Sequence, residues 1–322
     1  MTKEKFIQTI TKWYSYNKES FHFPWRNTRD PYQIFVSEIM LQQTQIVRVI
    51  PKYEEWLKEF PTLESLAKAP FPKILKVWQG MGYNRRARYL KDTAEIVVRK
   101  YNGQIPRDPQ TLERFPGIGH YTARAITCFA YGRCEPFLET NIRRGLIHFF
   151  GNSPHLSVIA HPVRIRNSNG VSKAKQSRHV GIAASRQVGT RNDMRQEKIS
   201  DGILLAILSR LEPKTKKREW YYALMDYGRE VLGKMSDNPN RRAKHYRTQS
   251  KFLGSRRYVR AKIVLYLVSK RNGVNRKELL HLLKKDLHTK DFLTPHVFDW
   301  VLNDLSRDKL ITRKANKWII LS

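Results

Sequence analysis

The chain has 322 residues, 40% of them apolar, enough for two ordinary domains with a sizeable core. Lysine and arginine number 61 against 28 acidic residues, a net charge of +33, so the natural partner is a polyanion such as nucleic acid, with a ribosomal-type basic surface as the plainer alternative. Its two cysteines, Cys128 and Cys134, fit neither a secreted disulfide framework nor a zinc site and read as core thiols, and no run of 18 apolar residues exists to span a membrane.

Met1–Asn17 alternates charge with Trp and Tyr and has no apolar stretch of the signal-peptide kind, so a location in the cytoplasm, or in the nucleus of a cell that has one, is expected. Residues 1–150 read as a succession of amphipathic helices. Ile34, Phe35, Val36, Ile39, Met40, Ile46, Val47 and Ile50 recur at mixed three-and-four spacing. Pro51, Pro61, Pro70 and Pro72 are expected to punctuate the helices. Leu63, Leu66 and Ala67, then Ile74, Leu75, Val77 and Trp78, then Ala94 to Val98, supply further apolar faces. Strand-type alternation is scarce, so this region is expected to be all-α.

Residues 152–198 differ. They hold nine Lys/Arg against two acids, no aromatic residue and no sustained apolar period. Such a segment cannot bury enough surface to offset its ordering entropy, which predicts a mobile basic insertion or an error of reading frame. Helical pattern resumes at Ile199, with a stripe of Ile203, Leu204, Ile207, Leu208 and Leu211 and another from Trp220 to Leu232; residues 199–252 complete the helical domain. Within 234–262 there are ten Lys/Arg and a single acid, Asp237, which suggests a phosphate-facing surface.

Residues 255–322 form a separate pattern. A helix over 258–270 precedes an Asn272–Gly273 turn. Leu279, Leu280, Leu282 and Leu283 mark a second helix, and Val297, Phe298, Val301, Leu302 and Leu305 a third. Leu310–Ile311–Thr312 and Trp318–Ile319–Ile320–Leu321 read as a hairpin across Lys314–Ala315–Asn316. Three helices and a terminal hairpin predict a small winged-helix-like α+β module.

Three motifs carry chemistry. In Phe115-Pro116-Gly117-Ile118-Gly119-His120-Tyr121-Thr122-Ala123, a helix ends in a Gly-x-Gly turn and another opens directly after it. Glycines admit an anion without a clashing Cβ, and helix-start N–H groups hold it; a plain Gly-rich connection is the alternative. In Ser37-Glu38-Ile39-Met40-Leu41-Gln42-Gln43-Thr44-Gln45, a carboxyl stands among apolar neighbours, where desolvation raises its pKa and lets it keep a proton near neutrality. The third is Pro136-Phe137-Leu138-Glu139-Thr140-Asn141-Ile142-Arg143-Arg144.

The first string resembles the helix-hairpin-helix of the endonuclease III and MutY superfamily, and the second closely resembles the catalytic helix of its MutY-type adenine glycosylases. The likeness covers 1–150 closely and 199–250 loosely. It implies a two-subdomain glycosylase fold with a cleft, in which Gly117, Gly119, His120 and Thr122 hold a DNA phosphate; the basic run of Arg241, Arg242 and Lys244 is expected, by its charge alone, to hold the same backbone. It implies that Glu38 protonates a flipped adenine, a base otherwise too poor a leaving group. Arg26, Leu41, Gln42, Gln43, Thr44 and Met81 would surround the flipped or opposite base, and Tyr83 of Gly80-Met81-Gly82-Tyr83 would stack into the opened duplex; a core tyrosine is the alternative. At the position of Tyr121 the lyase members carry a lysine. A phenol cannot form their Schiff base, so the likeness implies a monofunctional enzyme.

Glu139 occupies the place of a family Asp that faces the sugar's developing positive charge, supported by Asn141; the same charge stands here on a longer arm. The family's four iron–sulfur cysteines fall, by spacing, on Leu232, Pro239, Arg242 and Thr248, none of which ligates iron, so no cofactor is expected. Residues 255–322 do not resemble the domain that reads 8-oxoguanine in the family. The expected partner is duplex DNA with a mismatched or oxidised pair, bound by a monomer that would associate with the nucleoid. Two alternatives stand: a damage-binding protein without catalysis, and a glycosylase for another base such as thymine.

Overall fold

A computed structural model describes residues 1–152, 198–270, 272–289 and 292–321, so the insertion expected at 152–198 lies almost wholly outside the described residues. It is mostly helical, as the periodicity implies. In chain order the helices are α1 (Lys3–Asn17), α2 (Pro31–Leu41), α3 (Ile46–Glu59), α4 (Leu63–Lys68), α5 (Phe71–Val77), α6 (Arg85–Tyr101), α7 (Pro109–Leu112), α8 (His120–Tyr131) and α9 (Thr140–Phe150). They continue as α10 (Asp201–Leu211), α11 (Lys217–Glu230), α12 (Arg256–Ser269), α13 (Arg276–Lys284) and α14 (Pro295–Arg307), with strands β1 (Val274–Asn275), β2 (Ile311–Lys314) and β3 (Lys317–Ile320). The chain divides into two compact units, one of residues 15–137, 213–220 and 248–322, the other of 1–14, 138–212 and 221–247. No helix among the described residues is long and apolar enough to cross a membrane.

The first unit is built around α2. Asp30 caps it by accepting the Gln33 N–H at 2.9 Å, and Pro31 supplies a pre-set first residue. Every residue from Tyr32 to Met40 except Gln33 is buried, so the helix runs through the core rather than over it. Burying each of its large apolar side chains contributes about 1.5–3 kcal/mol. Pro51, expected between helices, lies inside α3. The break is tolerated because the N–H it lacks would have served the carbonyl of Val47, a residue 75% exposed and open to water. Lys91 buries its stem and caps α4, donating to the carbonyls of Ala67 and Ala69 at 3.0 Å each.

Cys128 and Cys134, expected as thiols, form a disulfide. Gly132 ends α8 in the left-handed region at φ 72°, and the reversal returns Cys134 alongside the last turn, with the two Cα atoms 4.1 Å apart.

Residues 255–321 form three helices and a three-stranded antiparallel sheet of order β1-β3-β2, in the sequence helix, strand, two helices, two strands. The hairpin pairs Lys314 with Lys317, leaving a two-residue turn at Ala315–Asn316, and β1 adds a strand that the sequence pattern does not show. Val259, Ile263, Leu279, Phe298, Val301 and Leu302 fill the core. This module rests on the rest of its unit through α12 against α5 and through Arg85 Nη1 to Asp308 Oδ1 at 3.2 Å.

In the second unit, Phe6 of α1 packs edge-on against Phe149 and Phe150 of α9 at 5.1 Å. Arg143 grips Asp201 with two bonds of 2.9 and 2.8 Å, joining α9 to the start of α10. That pairing holds the Asp201 carboxyl below the usual range. A short parallel bridge, Ile199 with Ala243, closes the unit.

Candidate active site

Glu38 lies near the end of α2 and is 3% exposed, beside Phe35, Ile39 and Met40, which are sealed from solvent. The phenol of Tyr121, second residue of α8, donates to its Oε2 at 2.9 Å. Two residues 83 apart in sequence meet because α2 and α8 pack along their lengths. The Tyr121 ring is held edge-on by Phe137 at 5.7 Å.

Gly117 forms the hairpin turn at φ 74°, where an added Cβ would lie 2.3 Å from Tyr89 Cδ2. Glycine is therefore required for packing. Gly119 is different: it begins α8 in extended backbone, and a Cβ there would meet no atom within 4 Å. Open space thus stands over the N-terminus of a 12-residue helix, with His120 exposed and Thr122 buried behind it. The side-chain amide of Gln42 donates to the Gly117 carbonyl and to Thr122 Oγ1, both at 3.2 Å, and so ties the end of α2 to the hairpin. Gln43 is exposed in the left-handed region at φ 54°, and Leu41 and Thr44 are half-buried.

The turn Gly80–Tyr83 has three residues in the left-handed region, Gly80 at φ 88°, Gly82 at 68° and Tyr83 at 47°; the glycines adopt it freely, and only at Tyr83 does a Cβ make it costly. Met81 is buried beneath it, and Trp78 Nε1 donates to the Gly82 carbonyl at 2.9 Å. The turn therefore presents Tyr83 outward, 39% exposed.

Arg86 escapes a reading of sequence alone. It sits in the basic run Arg85-Arg86-Ala87-Arg88, yet it is 5% exposed. Its Nη1 donates to the carbonyls of Ile39, Met40 and Gln42 at 3.0, 2.9 and 2.6 Å. Its Nη2 donates to Thr44 Oγ1, Met81 O and Gly82 O at 2.9, 3.1 and 3.2 Å. The carbonyls at the end of α2 have no following helical N–H, and a cation among them is favoured by the helix dipole. Burial lowers the Arg86 pKa to about 10, still cationic at neutral pH. One guanidinium thereby joins the Glu38 helix to the Tyr83 turn. The signal was present in spacing: Arg86 shares the buried face of α6 with Leu90, Thr93, Ala94 and Val97.

In the second unit Glu139 caps α9. Its Oε1 accepts the N–H groups of Asn141 and Ile142 at 2.6 Å each, and its Oε2 accepts Asn141 Nδ2 at 3.1 Å. Burial pushes the carboxyl's pKa above the usual range, opposed by these donors and by Arg143 and Arg144. Asn141 Oδ1 in turn accepts Arg144 Nη1 at 2.7 Å, and that nitrogen also donates to the Gly228 carbonyl at 2.7 Å. A Cβ on Gly228 would strike the Asn141 carbonyl at 2.2 Å, so this glycine lets α11 approach α9 closely.

Arg26 lies over the Phe23 ring at 4.7 Å. Arg241 and Lys244 are exposed, whereas Arg242 directs its guanidinium to Gly151 O at 2.5 Å and Asn152 Oδ1 at 2.7 Å, at the end of α9. Of the positions that spacing assigns to iron ligands, Leu232 and Pro239 are buried in packing, Arg242 makes the contacts just given, and Thr248 is exposed. These side chains do not fit an iron–sulfur cluster, and among the described residues no group of three or more His, Cys, Asp or Glu is arranged to hold a metal ion.

Residues 36–160 match the family described as HhH-GPD superfamily base excision DNA repair protein. The adenine DNA glycosylase of Buchnera aphidicola subsp. Baizongia pistaciae is 41% identical over 150 residues, 47% of this chain and 42% of that one. The adenine DNA glycosylase of Mycolicibacterium smegmatis is 41% identical over 136 residues, 42% of this chain and 46% of that one. The chain thus spans less than half the length of these curated relatives. A solved thermostable thymine-DNA glycosylase superposes with a TM-score of 0.54 at 24% identity, covering 75% of this chain and 92% of that one, a likeness of fold.

Proposed function

We propose that this chain, whose residues 36–160 are an HhH-GPD domain of the base excision DNA repair superfamily, is a monofunctional glycosylase that removes adenine mispaired with guanine or 8-oxoguanine. The observation that carries the reading is the buried Glu38 carboxyl with the Tyr121 phenol on its Oε2, placed on the helix that follows the Gly117–Gly119 hairpin. A duplex held by its backbone at that hairpin would present an extruded adenine to Glu38. Glu38 gives its proton to the ring as the C1′–N bond breaks and the bonding pair leaves with the base. Water then adds to C1′ and returns a proton to the carboxylate. The positive charge that develops on the sugar needs an anion, and Glu139 supplies it in this reading. Tyr121 offers no amine, so the product is an intact abasic site. The chemistry runs without an iron–sulfur cluster, on a monomer whose charge of +33 draws it to DNA.

Glu38→Gln tests this. The amide fills the same niche but has no proton to transfer, so release of adenine from A·G and A·8-oxoguanine duplexes should cease while duplex binding persists. Excision by that variant at the wild-type rate removes Glu38 from its role. A second reading, recognition of damaged DNA without chemistry, draws on Glu139, whose carboxylate is occupied by two N–H groups of the helix cap and by the Asn141 side-chain amide. Alkali treatment after incubation with mismatched duplexes, T·G included, separates these: no alkali-labile site at any base favours binding alone.

A further inference from the structure

Tyr83 is held at both ends. At its base, the Arg86 guanidinium lies 5.4 Å from the ring centroid. At its tip, the phenol oxygen accepts Arg257 Nη1 at 2.9 Å and also the side-chain amide of Gln249. Neither partner comes from the helices around Glu38: Gln249 lies in the segment that leads into the C-terminal module, and Arg257 is the second residue of the module's first helix, α12. Arg257 is itself anchored, with Nη2 donating to the Ser250 carbonyl at 2.6 Å and the guanidinium 5.9 Å from the Phe252 ring. The three acceptors that hold it, Tyr83 Oη, Ser250 O and Ser250 Oγ, use only part of a five-donor fork.

We propose that Arg257 and Gln249, held at the tip of Tyr83, form the site that reads the base opposite the extruded one, and that this site selects guanine. The inference rests on the glycosylase reading. Extruding one base empties half a step of the stack and leaves its partner with unpaired edges. An exposed aromatic on a rigid turn fills that gap, and the groups at its tip face the edge of the orphaned base. A guanidinium has donors only. It matches the O6 and N7 acceptors of guanine, the commonest specific arginine contact with DNA. In 8-oxoguanine N7 carries a hydrogen, so the fork meets a donor where it needs an acceptor. Cytosine offers an amino group there and is refused on the same ground.

The test measures binding of the full chain to duplexes with a tetrahydrofuran abasic analogue opposite guanine, 8-oxoguanine or cytosine, with adenine release from the corresponding A-containing duplexes assayed in parallel. Wild type should bind the guanine duplex tightest. Arg257→Ala should cut the guanine preference about tenfold, the scale of a lost bidentate base contact. Arg257→Lys should fail to restore it, because an ammonium cannot make the fork. Gln249→Ala should shift the ratio less. Lys277→Ala, on exposed α13 surface, should leave the ratio unchanged, and thermal midpoints should stay at the wild-type value throughout. Lack of a guanine preference in wild type, or its retention within twofold in Arg257→Ala, overturns the proposal. Failure to release adenine from any duplex overturns the glycosylase reading separately, since the binding ratios do not depend on turnover.

Discussion

Replacing Arg86 with methionine keeps most of the side chain's length and removes six hydrogen bonds. Not all are lost outright. Gly82 O keeps its bond from Trp78, and Gln42 O keeps a long one from Thr44 Oγ1 at 3.4 Å. The carbonyls of Ile39, Met40 and Met81 are left to find new partners. Each stranded acceptor costs about 1–3 kcal/mol, and removing a buried cation recovers part of its own desolvation penalty. The net expectation is a loss of about 3–5 kcal/mol, which lowers the thermal midpoint of a unit of this size by roughly 10 °C. Urea unfolding of the wild type, Arg86→Met and Arg86→Lys measures it. Lysine has three donors against six acceptor contacts and should recover less than half. Because the same cation joins α2 to the Tyr83 turn, adenine release by Arg86→Lys at a temperature where it is folded should fall more than its DNA affinity does. An Arg86→Met protein within about 1 kcal/mol of wild type would show that the carbonyl cage is satisfied without the charge.

The two hairpin glycines should separate packing from binding. Gly117→Ala forces a Cβ against Tyr89 at φ 74° and should destabilise by about 1–2 kcal/mol, read by thermal melting. Gly119→Ala meets no protein atom and should keep its stability while its affinity for duplex drops, read by fluorescence anisotropy at fixed salt. At Glu139, Gln keeps an oxygen for the helix cap and loses the charge, whereas Ala loses both. Ala should cost about 1 kcal/mol of stability and Gln much less, while both depress adenine release. The pH dependence has a definite sign: burial raises this carboxyl's pKa, so if the ion is the active form, release falls with decreasing pH at a higher pH than an ordinary carboxylate allows. Stability moves the opposite way, since a raised carboxyl favours the folded state at low pH and that contribution is lost as pH rises through the folded value.

The helices around Glu38 were legible because a long apolar stretch with one carboxyl in it leaves few places for that carboxyl to go. What stayed hidden is tertiary. Arg86 looks like part of a solvated basic run until α2 ends against it, although its spacing from Leu90, Ala94 and Val97 put it on the buried face. Strand β1 is two residues long, too short for any alternation to register. Pro51 reads as a helix breaker because the sequence does not tell whether the carbonyl four residues back can turn to water. The disulfide depends on the left-handed Gly132, which decides whether Cys134 returns toward Cys128 or runs on.

On the proposed glycosylase reading, the Tyr121 phenol bears on which oxygen of Glu38 would carry the transferred proton. A carboxyl that accepts a phenol's hydrogen on Oε2 cannot carry its own proton in that direction without losing the bond. The acid form is thereby biased to hold its proton on Oε1, and the ring edge of Phe137 keeps the phenol from swinging away. On that reading, once the proton had gone to the base, the same bond would stabilise the carboxylate left behind. Tyr121→Phe removes the donor and keeps the ring, so the acid should remain buried but lose this bias. Adenine release should slow more than binding weakens.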